Sequence, residues 1–228
     1  MLTVIIFLLI RKFRRRLALR YSNRESANVI VRCFLLYVFV GALEAKAQQQ
    51  GDEFNRRYEV RHNGAAKGEV SVKKSVGGGV TKVRLVSNFN FRMLLPVTIK
   101  TVEEASFYNG ILTYSSVNRK INGKQKIKQK LVVKGQTYEW SDEAGKNLPA
   151  YPIKQSVLSL YFQEPKDQLQ VFSDAHRANI PVREVEKGKY RLDFPNGNTN
   201  YYNYADGVCT LVEVNHSMFS IQFILIDR

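Results

Sequence analysis

The sequence predicts a mainly β protein with a single antiparallel meander sheet, and three observations support this. Turn dipeptides recur along residues 51–228, apolar and polar residues alternate between them, and successive turns lie roughly 12 to 14 residues apart. Strands of that length can be joined directly by short hairpins, which makes each strand the neighbour of the next. We expect the sheet to be strongly curved, as a half-barrel or open barrel.

The turns are marked by glycine, most often after Asn or Asp. Asn-Gly and Asp-Gly favour two-residue hairpins because both central residues can take positive φ. The turn signals are Asn63-Gly64, Gly77-Gly78-Gly79, Asn109-Gly110, Asn122-Gly123, Gly135, Gly145, Asn196-Gly197 and Asp206-Gly207. Segments such as KVRLVSNFNF and FSIQFILI lie between these turns and have the period of two that is typical of a strand.

One segment, YPIKQSVLSLYFQEP, departs from the strand pattern. Its apolar stripe has helical spacing and consists of Ile153, Val157, Leu160 and Tyr161. Pro152 lies at its start and Pro165 just beyond its end, which are the positions that a helix tolerates. The sequence therefore predicts one amphipathic helix packed against the sheet. Simple core packing is one interpretation of this helix, and a helix that gates a cavity is the other.

The stretch FLLYVFVGALEAKAQQQG predicts export. Its apolar core, Phe34–Leu43, is about ten residues long, against the roughly 20 that a membrane-spanning helix needs. Basic residues precede it, and Ala45 and Ala47 form a small-x-small pair before Gln48. This pattern indicates a signal peptide over residues 29–47 that is cleaved after Ala47. A short anchor helix is the alternative.

A second apolar run, LTVIIFLLI, lies upstream and is followed by RKFRRR. Because two tandem export signals have no evident use, we interpret residues 1–28 as an upstream extension and expect translation to start at Val29 or Val31. Residues 1–47 carry +7 of the total charge of +15, so the predicted mature domain, 48–228, keeps +8. Cys209 is then its single thiol, which excludes an internal disulfide.

The residues of the β domain do not assemble a recognisable catalytic motif. His62, His176 and His216 have no metal-ligand spacing such as HExxH. Asp174 and His176 would share a strand face and are candidates for an acid–base pair, but two surface polar residues are the plainer interpretation. We therefore predict a protein that is not an enzyme and that uses no cofactor or metal.

The hairpin NRKINGKQKIKQKLVVK is the most informative polar feature. If Asn122-Gly123 is a two-residue turn, alternation places four lysines on one face, and these are Lys124, Lys126, Lys128 and Lys130. The other face then carries Ile127, Leu131 and Val133, with Leu131 opposite Tyr114 and Val133 opposite Leu112. The same register predicts Arg119 opposite Lys126.

Extension of that register through the preceding hairpin predicts Glu104 beside Ser115 and near Lys130. A solvated face that also blocks edge-to-edge aggregation is one interpretation of the lysine row. The other is a stripe, including Arg119, that docks on an anionic surface such as lipid phosphates or an acidic glycan. Export argues against nucleic acid as the partner.

The segment NTNYYNYADG supplies a second candidate binding surface. Alternation puts Tyr202 and Tyr204 on one strand face and Tyr201 on the other. Tyrosine combines a flat apolar ring with a polar hydroxyl, which suits sugar stacking or an amphiphilic groove. Tyrosines are also ordinary strand residues, so plain packing remains the second interpretation.

Five segments together resemble a known family: YEVRHNGAAKGEVSV, FYNGILTYSS, SVLSLYFQEP, IPVREVEKGKYRLDFPNGNTNYYNY and a closing hairpin. They are similar to a family of uncharacterised exported bacterial proteins described only as a domain of unknown function. The resemblance implies a soluble envelope protein with a curved antiparallel sheet, similar in outline to lipoprotein-carrier half-barrels. It implies no catalytic residue.

Two hypotheses on function follow. The first is a non-catalytic protein, periplasmic or secreted after signal cleavage, that binds an amphiphilic or anionic partner such as a lipid, a glycan or a membrane surface. The second is a structural or protein-interaction module of the periplasm without a small ligand.

Overall fold

The structure is a computed structural model that describes residues 51–92, 95–141 and 150–227. The predicted extension, the signal peptide and the cleavage residues Ala45, Ala47 and Gln48 lie outside the described residues, as does the turn at Gly145. These features therefore remain predictions from the sequence.

The described residues form thirteen β-strands, labelled β1 to β13 in chain order. The first seven are β1 (Asp52–His62), β2 (Ala65–Gly77), β3 (Val80–Arg92), β4 (Pro96–Tyr108), β5 (Ile111–Ile121), β6 (Lys124–Lys134) and β7 (Thr137–Trp140). The other six are β8 (Gln170–Ser173), β9 (Ala178–Glu186), β10 (Lys189–Asp193), β11 (Thr199–Ala205), β12 (Val208–His216) and β13 (Phe219–Asp227). A 3₁₀ helix, Val157–Tyr161, lies between β7 and β8.

These strands belong to one antiparallel sheet with the order β7-β6-β5-β4-β3-β2-β1-β13-β12-β11-β10-β9-β8. Two meanders, β1 to β7 and β8 to β13, meet at the ladder between β1 and β13. Within the part of the chain that the structure describes, no ladder joins β7 to β8, so the sheet is not closed. The predicted mainly β fold with a single antiparallel sheet is confirmed.

The glycine turns have the backbone conformation that the sequence predicts. Asn63, Asn109, Asn122 and Asp206 have φ of 50°, 47°, 49° and 50°, and the glycine after each also has positive φ. Two consecutive residues with positive φ give the hairpin turn whose twist matches that of the flanking strands. Each of these pairs joins two adjacent strands of the sheet.

One face of the sheet, here called the inner face, carries the hydrophobic core. Val60, Phe223, Val212 and Tyr202 are successive cross-strand partners over four neighbouring strands, and all four are buried. The opposite face, here called the outer face, carries mostly exposed polar residues, as alternation along strands requires. In the described ranges no helix is long and apolar enough to cross a membrane.

The predicted amphipathic helix is not confirmed, because only Val157–Tyr161 are helical and they form a 3₁₀ turn. The carbonyl of Ile153 accepts a hydrogen bond from the backbone N–H of Leu112 at 2.8 Å, and that of Gln155 accepts one from Phe172 at 3.0 Å. These carbonyls bond to β5 and β8 and not to N–H groups four residues further along the chain, so the helix begins later than the apolar spacing suggested. Ile153, Leu160 and Tyr161 are nevertheless buried in the core.

The predicted register of the lysine hairpin is wrong beyond its first two pairs. Ile121 pairs with Lys124 and Lys120 with Gln125, as expected, but Arg119 then pairs with Ile127. Lys126 is thus the extra residue of a β-bulge, and Arg119 does not lie opposite it. Beyond the bulge every pair is shifted by one residue.

The shift separates the four lysines that alternation grouped together. Lys128 and Lys130 lie on the outer face, opposite Asn118 and Ser116, while Lys124 lies opposite Ile121 on the same side as Arg119. Leu131 lies opposite Ser115 instead of Tyr114, which pairs with Val132. Lys124, Lys126, Lys128 and Lys130 are all exposed.

The expected neighbour of Glu104 also changes. Glu104 pairs with Ser116, whose other partner is Lys130, so it shares the outer face with that lysine. Its carboxylate, however, forms an ion pair with Arg84 of β3. Glu104 is therefore engaged with a different strand from the one predicted.

Candidate ligand-binding cavity

A cavity of about 470 Å³ lies against the inner face. Strands β2 to β5, β11, β12 and β13 and the 3₁₀ helix contribute to its wall, together with the β8–β9 turn (residues 174–177) and the β10–β11 turn (residues 194–198). Its volume is within the roughly 300 to 1,000 Å³ that small-molecule sites have. Both meanders of the sheet therefore contribute to one candidate site.

One part of the wall, here called the apolar side, consists of Val70, Leu85, Phe89, Ile221 and Phe223. These residues come from β2, β3 and β13, where alternation directs every second side chain to the inner face. The rings of Phe89 and Phe223 meet edge to face with centroids 6.3 Å apart. Contacts of this kind suit the binding of a hydrocarbon or ring system.

The cavity reaches solvent near the β12–β13 turn. Met218 lines it and is 70% exposed. Beside it, the ring of Phe219 is stacked on that of His216 at a centroid distance of 4.8 Å and contacts the ring of Phe91 at 4.9 Å. An exposed methionine next to clustered aromatic rings makes an apolar entrance on this side.

The other part of the wall, here called the polar side, consists of Thr101, Glu103, Arg119, Asp174 and His176. Arg119 donates a hydrogen bond to the carboxylate of Glu103 at 2.9 Å and a longer one to the hydroxyl of Thr101 at 3.3 Å. Only 16% of the Glu103 side chain and 32% of the Arg119 side chain are exposed. This is a partly buried ion pair within the cavity wall.

Asp174 is the most deeply buried ionisable group of the polar side. Its carboxylate accepts a hydrogen bond from the Ser115 hydroxyl of β5, and its backbone carbonyl accepts one from the Gln129 amide of β6. Burial raises the pKa of Asp174 to about 7, partly offset by the Ser115 hydrogen bond and reinforced by the nearby Glu103 charge. The sequence interpretation of Asp174 as a surface residue is wrong, because the turn that carries it packs onto β5 and β6.

His176 follows in the same turn and lies over the ring of Phe194 at a centroid distance of 4.7 Å. Its Nδ1 is 3.0 Å from the hydroxyl oxygen of Ser173. Burial, with a smaller contribution from the Arg119 charge, lowers the pKa of His176, so the neutral ring is favoured. The carboxylate of Asp174 bonds to Ser115, so Ser173, His176 and Asp174 do not form the chain of hydrogen bonds that a catalytic triad requires.

The tyrosine segment divides between the two faces as predicted. Tyr202 is buried and lines the cavity, and its ring meets that of Tyr161 edge to face at 6.0 Å. The Tyr204 hydroxyl donates to the Leu160 carbonyl at 2.6 Å, so it anchors the 3₁₀ helix and does not face a groove. Tyr201 lies on the other face, with the ammonium group of Lys189 5.1 Å from its ring centre.

The remaining predicted site residues are distributed as follows. Val157 and Tyr161 line the cavity, whereas Ile153 and Leu160 belong to the core beside it. Arg119 lines the cavity, away from the outer-face lysines with which it was grouped. Cys209 is a buried thiol, and burial raises its pKa to about 12, which favours the unreactive protonated form.

Sequence reasoning missed Glu103 and three asparagines of the wall, which are Asn196, Asn198 and Asn200. Glu103 alternates with Thr101, Ala105 and Phe107, which are buried in the structure, so its side chain points inward. The sequence contains this alternation but does not by itself show which face of the strand is buried. The asparagines carried no signal, since they lie in or beside a turn where Asn is common. Among the residues that the structure describes, no three His, Cys, Asp or Glu side chains are grouped as a metal site requires.

The fold and the cavity define a mainly β protein with an open antiparallel sheet and an internal candidate binding site. The chain belongs to the family described as "Domain of unknown function (DUF6134)", whose model matches residues 58–226. This confirms the resemblance found in the sequence. A comparison with curated proteins finds no significant match.

The chain is also similar to a solved structure, the β-barrel-like protein of domain of unknown function DUF1849 from Brucella abortus. The two are 9% identical, and the match covers 78% of this chain and 97% of that one with a TM-score of 0.41.

Proposed function

We propose that the protein is a non-catalytic binding protein of the bacterial envelope that holds an amphiphilic ligand in the inner cavity. The observation that carries this proposal is the division of one cavity wall into an apolar side and a polar side. An amphiphile can match both sides at once: its hydrocarbon part is removed from water, and its head group meets hydrogen-bonding partners.

The proposal includes a strongly curved sheet, as in an open barrel. Strands β5 and β11 are seven positions apart in the sheet order. A flat sheet would separate them by roughly 34 Å at the usual strand spacing. Arg119 of β5 and Asn200 of β11 nevertheless line the same cavity. Curvature is also supported by the outermost strands, since Trp140 of β7 and Phe172 of β8 have ring centroids 6.3 Å apart.

The envelope location rests on the sequence of residues 29–47, with its basic flank, short apolar core and small-x-small pair. After removal of this segment the protein is periplasmic or secreted. An amphiphile that moves between membranes through water needs a protein that covers its apolar part, and a cavity in a soluble sheet provides that cover.

A second candidate function rests on the outer face of β2 to β6. Six exposed lysines share this face, and they are Lys73, Lys82, Lys100, Lys120, Lys128 and Lys130. Together they form what we call the basic outer face. It would attract the anionic surface of a membrane, and the attraction would weaken as salt screens it. Docking there and ligand binding in the cavity are compatible, because they use opposite faces of the same strands.

The substitution Ser87→Leu tests whether a ligand binds in the cavity. Ser87 lines the cavity and is buried, so a leucine there fills part of the space. Ser71→Leu on β2 is the matched control, because Ser71 lies between the buried residues Val70 and Val72 and therefore points to the outer face. We expect the wild type and the control to bind the neutral probe N-phenyl-1-naphthylamine, and Ser87→Leu to lose at least tenfold in affinity.

Native mass spectrometry of protein purified from the envelope of its own cells provides the second measurement. A co-purifying lipid that the Ser87→Leu variant lacks would support the proposal. A ligand-free mass together with a stoichiometric protein partner would support a structural or interaction module of the periplasm instead. Equal probe binding by Ser87→Leu and wild type would refute a ligand in this cavity.

A further inference from the structure

The cavity wall contains few of the cationic side chains that would bind a fatty acid or another anionic lipid. Among the described residues that line it, Arg119 is the one Lys or Arg side chain. The lysines of the basic outer face point away from the cavity, on the other face of the sheet. Arg119 is therefore the permanently charged cation that an anionic head group at the polar side would meet.

Arg119 is already engaged. Its guanidinium donates to Glu103 at 2.9 Å and to Thr101 at 3.3 Å, both on the neighbouring strand β4. The pair is partly buried, and a ligand anion that took over Arg119 would leave the Glu103 carboxylate without its partner. Leaving one member of a buried ion pair alone is strongly unfavourable. The ion pair therefore makes the polar side neutral and discourages a second negative charge.

The other ionisable groups of the polar side add no positive charge. Burial favours the protonated, neutral form of Asp174 and the neutral ring of His176. His216 also lines the cavity, but it lies at the entrance, stacked on Phe219, and not at the polar side. The remaining polar wall residues carry hydroxyl or amide groups, and they are Ser87, Tyr161, Ser173, Asn196, Asn198, Asn200 and Tyr202. An amide side chain both donates and accepts hydrogen bonds, so this set matches a head group that also does both.

We infer that the cavity selects an uncharged amphiphile, whose head group carries hydroxyl or amide groups and whose remainder is hydrocarbon, and that it discriminates against the corresponding carboxylate. This inference rests on the proposed function. The head group would lie at the polar side among the asparagines and the Arg119–Glu103 pair, and the hydrocarbon would lie against the apolar side. Selectivity then comes from the cost of desolvation. A carboxylate gives up its hydration without gaining an unengaged cation, whereas the free energy of removing an uncharged amide from water is smaller.

The test compares two competitors that differ only in the head group, decanamide and decanoate. Each displaces N-phenyl-1-naphthylamine from the full protein at about pH 6, where a free carboxylic acid is largely ionised. We expect decanamide to displace the probe at a concentration at least tenfold lower than decanoate. Equal or stronger displacement by decanoate would overturn the inference while leaving ligand binding in place. If the protein does not bind the probe, or if Ser87→Leu binds it as well as the wild type does, the proposed function itself is refuted.

The variant Glu103→Gln tests the role of the ion pair. It keeps the shape of the side chain but removes the charge that engages Arg119, so the guanidinium becomes available to a ligand anion. We expect the preference for decanamide to fall at least fivefold or to reverse. Glu104→Gln is the matched control, since it is the next residue of β4 and lies on the outer face. A preference in Glu103→Gln equal to that of wild type would contradict the assigned role.

A double variant separates charge from structural damage. Glu103→Gln combined with Arg119→Gln makes both positions neutral and replaces the ion pair by an amide pair. We expect it to keep the wild-type preference for decanamide. If the double variant instead loses the preference for decanamide to the same extent as the single variant, altered cavity shape and not charge sets the selectivity, and the inference fails. Circular dichroism verifies that each variant contains the β-sheet. If a variant does not fold, the comparison of decanamide with decanoate on the wild-type protein still decides the inference.

Discussion

The two faces of strands β4, β5 and β6 differ in the exposure and pairing of their charged residues. On the outer face Lys100, Lys120, Lys128 and Lys130 are all exposed to solvent. On the inner face of the same strands, Arg119 is paired with Glu103, and Gln129 bonds to the turn that carries Asp174. A shift of one residue along a strand therefore separates a cationic surface from a neutral polar wall.

This contrast follows from the cost of burying charge. Exposed ammonium groups keep their water, so repulsion among them is screened and costs little. A charged group in the cavity wall on the inner face loses much of its water, and burying it is costly unless a partner of opposite charge lies beside it. Alternation along the strands thus lets one short segment carry positive charge on the outer face and a neutral polar wall on the inner face.

The largest expected effect is a difference in stability between the two faces of β6. Leu131 is fully buried, whereas its neighbour Lys130 is exposed. We expect Leu131→Ala to lower the free energy of unfolding by roughly 2 to 5 kcal/mol, because it leaves a cavity in the core. Lys130→Ala should change it by less than about 0.5 kcal/mol.

Urea unfolding followed by tryptophan fluorescence measures both variants. Trp140 is the single tryptophan of the chain and lies opposite Leu131 in the ladder, so its emission reports on this part of the core. Equal losses of stability in the two variants would show that the faces of β6 are not divided as described.

The next effect concerns the pH dependence of stability. Burial raises the pKa of Asp174 from 3.8 to about 7, so between these values the folded state holds a proton that the unfolded state has released. The contribution of Asp174 to the free energy of unfolding is therefore fully present below the pKa of the unfolded state. It is lost as the pH rises through the pKa of the folded state. We expect a loss of about 2 kcal/mol between about pH 5 and about pH 7.

The variant Asp174→Asn isolates this contribution, since it keeps an oxygen that can accept the Ser115 hydrogen bond but cannot titrate. The measured quantity is the free energy of unfolding of wild type minus that of the variant, at several pH values. This difference should fall as the pH rises. His176, whose pKa is lowered, acts in the opposite direction in both proteins and cancels in the difference. A difference that is constant with pH would mean that Asp174 ionises as freely as in the unfolded chain.

The smallest effect on stability is expected for the triple change of Lys120, Lys128 and Lys130 to Gln, which tests the basic outer face. The domain should remain folded, because all three side chains are exposed. We expect binding to vesicles with anionic lipid to weaken several-fold at low salt and the difference to vanish at high salt. A vesicle flotation assay provides the measurement.

The control for this triple variant changes Lys67, Lys154 and Lys187 to Gln, which removes the same charge elsewhere. If both triple variants lose vesicle binding equally, net charge and not the basic outer face is responsible. If neither loses it, docking through these lysines should be abandoned.

The hairpins were predictable because their signal is local. Asn122-Gly123 fixes a two-residue turn through the φ angles of its own two residues, whatever the rest of the chain does. The bulge at Lys126 was not predictable in this way. It depends on how β5 and β6 twist together, and a strict alternation of Lys with Gln or Ile gives no sign of an extra residue.

The helix and the cavity illustrate a different limit. Ile153 and Val157 have helical spacing, but the carbonyl groups of this segment are taken by β5 and β8, which lie far away in sequence. Asp174 likewise meets Ser115 only because the β8–β9 turn packs onto the other meander. Contacts between distant segments decide both features, and local patterns contain no information about them.

The ladder between β1 and β13 also constrains the order in which parts of the chain fold. Arg57 and Asp227, which form an ion pair across this ladder, are 170 residues apart in sequence. A chain that emerges from its amino end presents β1 with one unpaired edge until β13 arrives, and closure of so long a loop is entropically costly. Proteins dominated by such distant contacts fold slowly. We therefore expect the two meanders to form separately and to join late.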